Sequence, residues 1–194
     1  MQNKLIKLVA KSARHSKNQI VGAVRPASYL KDLSQQQVGK GKTVLITGAS
    51  SGLGEGMARL FASLGYNLAI CARRIDRLEH LKSEMMDKYP DIRVECQALD
   101  VSDYDTVFQV FDAFADNFGS IERVVVNAGI GDSRRIGKGH FETNRRTADV
   151  NFVAALAQCE AAMNIFRAQN SGHLVVISSM SAMRGLPRHL TTYG

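Results

Sequence analysis

From Thr43 onward, short β-branched and aliphatic runs alternate with longer stretches whose apolar residues recur every three or four positions. Thr43–Thr47 (TVLIT), Asn67–Cys71 (NLAIC), Arg93–Leu99, Ile121–Asn127 and His173–Ser178 (HLVVIS) read as five short strands, buried on both faces where the run is continuous. Between them lie helical patterns. Gly52–Leu64 carries an apolar stripe of Leu53, Met57, Leu60, Phe61 and Leu64, and Ile75–Lys88 turns Leu78, Leu81 and Met85 inward. Ser102, with Asp105 three residues later, resembles a capping box ahead of Val107, Phe108, Phe111 and Phe114. A long helix is expected from about Thr143 to Gln169. Strands separated by helices of this length build parallel βαβ units, so an α/β fold with a doubly wound, Rossmann-like parallel sheet is expected over residues 43–194.

The chain has 194 residues and a net charge of +7, but the charge is not evenly spread. Residues 1–42 hold nine Lys and Arg against the single Asp32, whereas residues 43–194 sum to −1. The basicity therefore belongs to an N-terminal extension and linker. No nucleic-acid-reading motif accompanies it, and no nucleic-acid partner is expected. Lys4, Lys7, Lys11 and Arg14 fall at helical spacing beside Leu5, Leu8 and Val9. Three readings stay open: an amphipathic helix on an anionic membrane surface, a mitochondrial transit peptide, or a solvated extension of a cytoplasmic protein. No apolar run is long enough to span a bilayer. Cys71, Cys96 and Cys159 are odd in number and far apart, which suits buried reduced thiols and not metal ligands. Gly41-Lys42-Thr43 is not the end of a P-loop, because Gln36 stands where another Gly is needed and the strand follows instead of preceding.

Directly after the first strand comes Thr47-Gly48-Ala49-Ser50-Ser51-Gly52-Leu53-Gly54. Gly48 suits a sharp turn, Gly52 a close ligand and Gly54 tight packing of helix on strand. The free N–H groups and positive dipole end of the helix then suit a pyrophosphate, with Ser50 and Ser51 as added donors. A cofactor with a free ribose 2′-hydroxyl calls for Asp or Glu near the end of the second strand. Here the residues are Arg73 and Arg74, with no acid before Asp76, which favours the 2′-phosphate of NADP(H).

The spacing Thr-Gly-x-x-x-Gly-x-Gly at 47–54 resembles the short-chain dehydrogenase/reductase family, and further motifs follow in order to the end of the chain. Asp100-Val101 looks like the family's adenine-contacting Asp, although Asp100 read alone also suits a helix cap. Asn127-Ala128-Gly129 looks like its motif beside the adenosine ribose. Asn151 matches the active-site Asn, Ser179 the catalytic Ser and Tyr193 the catalytic Tyr; by pattern alone Ser178 and Ser181 are not separated from Ser179.

The resemblance implies hydride transfer between NADP(H) and a small-molecule carbonyl or alcohol. Ser179 would orient the substrate oxygen and Tyr193 would move the proton, aided by a Lys four residues beyond it. The chain ends at Gly194, before that position. It is therefore expected to be the N-terminal portion of an enzyme, inactive alone, with the last strand and pocket helices missing, and a homo-oligomer when complete. A non-catalytic nucleotide-binding or interaction protein of the same fold is the alternative. The loop Gly131–Gly139, with Arg134, Arg135 and Lys138, reads either as contact for an acidic or phosphate-bearing substrate or as a solvated loop.

Overall fold

The computed structural model describes residues 32–33, 35–132 and 134–179; Tyr193 and residues 1–31 lie outside them. Five strands, β1 (Thr43–Thr47), β2 (Asn67–Ala72), β3 (Val94–Ala98), β4 (Arg123–Val126) and β5 (His173–Val176), form one sheet. Its order is β3-β2-β1-β4-β5, and every neighbouring pair is parallel. The helices are α1 (Gly52–Ser63), α2 (Ile75–Lys88), α3 (Tyr104–Phe118), α4 (Phe141–Ala148) and α5 (Ala154–Ala168). This is the Rossmann-like doubly wound architecture, with the switch in strand order between β1 and β4.

β1 is buried along its whole length, and its side chains divide between two cores. Val44 and Ile46 pack with Leu68, Ile70, Ala58 and Leu78 on the face covered by α1 and α2. Leu45 packs with Val124, Phe111, Phe114 and Ile165 on the face covered by α3 and α5. A strand covered on both faces has no polar side to alternate with, so it reads as a continuous apolar run.

Four expectations change in detail. The most deeply buried face of α1 is Gly54, Ala58 and Ala62; of the apolar stripe, Met57, Leu60, Phe61 and Leu64 pack at the same core, whereas Leu53 is 53% exposed. Small residues let the helix approach the strands closely, which larger ones would prevent. Ser102 does not cap α3. Asp103 does, its carboxylate accepting from the Thr106 N–H at 3.3 Å and from the Thr106 hydroxyl at 2.7 Å. The continuous helix expected from Thr143 to Gln169 is broken by a π-helical turn over Asp149–Val153. Of the three thiols only Cys71 is fully buried, and desolvation pushes it up to about 12, so it stays protonated and unreactive at neutral pH. Burial also raises Cys96 and Cys159, both half-buried.

Ahead of β1, Leu33 and Val38 pack against the α1–α2 core, and the Gly39 N–H donates to the Leu64 carbonyl at 2.9 Å. α1 and α2 are tied by Arg59, which donates to Glu55 at 2.8 Å and also to Glu84. The hydrogen bond from Arg59 holds the Glu84 carboxyl below the usual carboxylate range.

Candidate functional site

The carboxyl ends of β1, β2, β3 and β4 open into a cleft of about 300 Å³. In an open parallel sheet the crevice beside the switch in strand order is where ligands bind. β1 ends at Thr47, and the chain turns at Gly48, whose φ of +67° lies in the left-handed region that favours glycine. A Cβ at Gly48 would lie 2.9 Å from the Cα of Ala128 and 3.0 Å from Asn127 Nδ2. At Gly54 a Cβ would overlap the Gly48 carbonyl and lie 2.7 Å from the same amide. The two glycines therefore let three backbone segments meet where no side chain fits, and they bring the N-terminus of α1 to the cleft floor.

Ser51 is the N-cap of α1, but its side chain makes no capping bond. Arg74 occupies it instead. Arg74 Nη2 donates to the Ser51 hydroxyl at 2.8 Å and to the Ser50 hydroxyl at 3.1 Å. The guanidinium thus crosses from the end of β2 to the glycine-rich turn and stands at the cleft beside the exposed Arg73. From the end of β3, Asp100 and the buried Val101 reach the same cleft. Asp100 is not the cap of α3; it accepts the Ser102 N–H at 3.0 Å and shapes the turn after the strand.

The end of β4 is held by a residue that sequence reasoning treated only as part of a motif. The Thr47 hydroxyl accepts from the N–H groups of Asn127 (3.0 Å) and Ala128 (3.1 Å). Asn127 Nδ2 returns a bond to the Thr47 carbonyl at 2.9 Å. Thr47 is fully buried, so these pairings satisfy groups that water does not reach. Two bonds then fix the loop beyond β4. Asn151 Oδ1 accepts the Ile130 N–H at 2.8 Å, and Asn151 Nδ2 donates to the Ile130 carbonyl at 2.9 Å. The π turn carries this amide, and π turns commonly mark functional positions in helices.

Gly48, Ser50, Ser51 and Leu53 line the cleft from one side, and Asn127, Ala128 and Gly129 from another. Thr47 and Gly54 stand behind the lining as buried supports, while Gly52 is exposed, with a left-handed φ of +59°. Ala72, Leu99, Ile130 and Val150 complete the wall and escaped sequence reasoning. The first two could have been found as strand-end neighbours of Arg73 and Asp100; nothing in the pattern marks Val150. Ser179 is half-buried three residues past β5, where the Ile177 N–H still donates to the Val126 carbonyl at 2.9 Å. Tyr193 lies outside the described residues.

Asn151→Ala removes both partners of the Ile130 backbone. Leaving those two groups unpaired is expected to cost about 1–3 kcal/mol. Urea denaturation checks this, and an unchanged midpoint would show that water replaces the amide without loss.

Fold and cleft together define a doubly wound α/β protein with a glycine-lined crevice at the switch in strand order. A family described as "short chain dehydrogenase" matches residues 42–194, and the chain belongs to that family. An uncharacterized oxidoreductase of Mycobacterium tuberculosis (strain ATCC 25618 / H37Rv) is 52% identical over 144 residues, covering 74% of this chain and 57% of the relative. One from Myxococcus xanthus (strain DK1622) is 34% identical over 148 residues, covering 76% and 58%. The chain therefore spans little more than half the length of these relatives. Among solved structures, an alcohol dehydrogenase from the archaeon Thermococcus sibiricus, complexed with 5-hydroxy-NADP, matches with a TM-score of 0.73 at 32% identity, covering 78% of this chain and 63% of that one. An NAD+-bound xylitol dehydrogenase matches with the same TM-score at 25% identity, covering 80% and 59%.

Proposed function

We propose that the chain holds NADP(H) for hydride transfer to or from a small carbonyl or alcohol. The observation that carries this reading is Arg74. Its guanidinium is positioned at the cleft by two serine hydroxyls, beside Arg73, and no carboxylate precedes Asp76 at that strand end. A 2′-phosphate suits two cations there, whereas a bare ribose hydroxyl pair would offer them no anionic partner. Gly48 and Gly54 hold the α1 N-terminus close against the end of β4, where its free N–H groups would meet a pyrophosphate in the cleft. The Thermococcus sibiricus relative with its NADP derivative supports the reading, while the NAD+-bound neighbour shows that the shared fold alone does not choose between the two cofactors.

When bound, the nicotinamide supplies or accepts the hydride. In this reading Ser179 donates a hydrogen bond to the substrate oxygen and orients it. Tyr193 exchanges the proton with that oxygen as general acid or base. Asn151 acts by position, holding Ile130 and so the wall beyond Gly129. Asp100 and Val101 flank the adenine end, and Asn127, Ala128 and Gly129 the adjoining ribose.

The double variant Arg73→Ala/Arg74→Ala tests the cofactor. Losing at least two charge-assisted bonds to a phosphate, at about 1.5–3 kcal/mol each, is expected to weaken NADPH binding by roughly 100-fold or more. NADH affinity should change little. Fluorescence titration of both cofactors measures it, and equal losses would overturn the preference.

A further inference from the structure

Between β4 and α4 the chain makes a loop in which every described residue from Gly131 to His140 is exposed. Gly137 (φ +77°) and Gly139 (φ +76°) turn it in left-handed conformations, and a Cβ on either would meet nothing within 4 Å. The tip thus stands clear of the domain. It also carries large apolar side chains in water: Ile136 is 72% and Phe141 71% exposed.

The charges around them are one-sided. Residues 131–146 hold five Lys and Arg against two Asp and Glu, while residues 43–194 as a whole are net −1. Arg134 pairs with Asp132 at 3.0 Å, and Arg145 with Glu142 at 2.8 Å and Asp149 at 3.4 Å. Arg135, Lys138 and Arg146 have no ion-pair partner among the described residues.

We propose that this loop and the first turns of α4 dock on an anionic lipid bilayer, with Ile136 and Phe141 entering the interface and Arg135, Lys138 and Arg146 meeting the headgroups. Single exposed apolar residues are ordinary on protein surfaces. Two of them, close in the chain to three cations with no ion-pair partner among the described residues, match the chemistry of interfacial binding, in which apolar insertion and headgroup attraction add. An acidic protein would satisfy the cations but has no stated need of the two apolar chains. The loop follows Gly129 and Ile130 of the cleft wall directly, so docking would bring the cleft wall close to the lipid surface. The proposal does not rest on the cofactor reading, and its test uses no turnover.

The chain contains no Trp, so Phe141→Trp in the full chain gives a single reporter at an exposed position. With vesicles of phosphatidylcholine and phosphatidylglycerol, its emission should shift to the blue and be quenched by brominated acyl chains; phosphatidylcholine alone should do neither. Arg135→Gln/Lys138→Gln/Arg146→Gln should weaken partitioning roughly fivefold per cation, the equivalent of about 1 kcal/mol each. Ile136→Ser/Phe141→Ser should weaken it by at least about tenfold with an unchanged circular dichroism spectrum. Residues 1–31 are basic and could bind vesicles themselves. If the protein sediments with vesicles while the Trp emission stays unchanged, the loop is not the docking surface. A blue shift that needs only higher protein concentration, or an added acidic protein, would also overturn the proposal.

Discussion

Replacing Gly54 with alanine is expected to destabilise the fold by about 3 kcal/mol and to reduce nucleotide affinity by tenfold or more. Nothing about the backbone angle at Gly54 demands this; the cause is space. Its added methyl group would overlap the Gly48 carbonyl and press on Asn127 Nδ2 at 2.7 Å, the atom that donates to the Thr47 carbonyl. Gly48 cannot retreat, because it already lies against Ala128. Relief requires α1 to lift away from the ends of β1 and β4, and the N–H groups at its start move with it. Gly52→Ala is the matched control. Its φ of +59° is strained for alanine, but nothing lies within 4 Å of the new atom, so a loss of only about 1–2 kcal/mol is expected. Urea denaturation and cofactor titration of the two variants separate crowding from backbone strain. Equal effects at both positions would show that the close approach of helix and strands is not what Gly54 provides.

Tyr193→Phe, measured in a chain of the relatives' full length, is expected to lower kcat by about 10²–10⁴-fold and to leave NADPH affinity within about twofold. Only the hydroxyl that exchanges the proton is lost, while the turn at Gly48, Arg74 and Asn127 keeps its bonds. A free tyrosine titrates near 10, so at neutral pH the group needs a cation nearby to act as a base. Ser179→Ala should lower kcat by about 10²–10³-fold through loss of the hydrogen bond to the substrate oxygen. Steady-state rates with a panel of ketones and aldehydes provide the comparison. Retention of most of the wild-type rate by Tyr193→Phe would remove that residue from the proton-transfer role.

The alternation of strand and helix is legible in the chain because periodicity is local: Val44–Ile46 and Leu68–Cys71 are apolar on both faces wherever they pack, and Leu78, Leu81 and Met85 share one side of any helix. The sequence also places glycines and arginines at strand ends, where a parallel sheet collects its loops. What those loops do to one another follows from how the strands pack side by side. Thr47 meets Asn127 across 80 residues, Arg74 meets Ser51 across 23, and Asn151 meets Ile130 across 21. Such contacts leave no period in the chain, since they depend on which strands become neighbours. The same reason hid the π turn, which aims one amide at a loop from another element, and the small face of α1, which is selected by how closely the strands approach. Asp103, and not Ser102, caps α3, while the Ser102 N–H is taken by Asp100 in the turn before it. Local pattern proposes each residue for a place; packing between distant segments determines which of its hydrogen bonds are made.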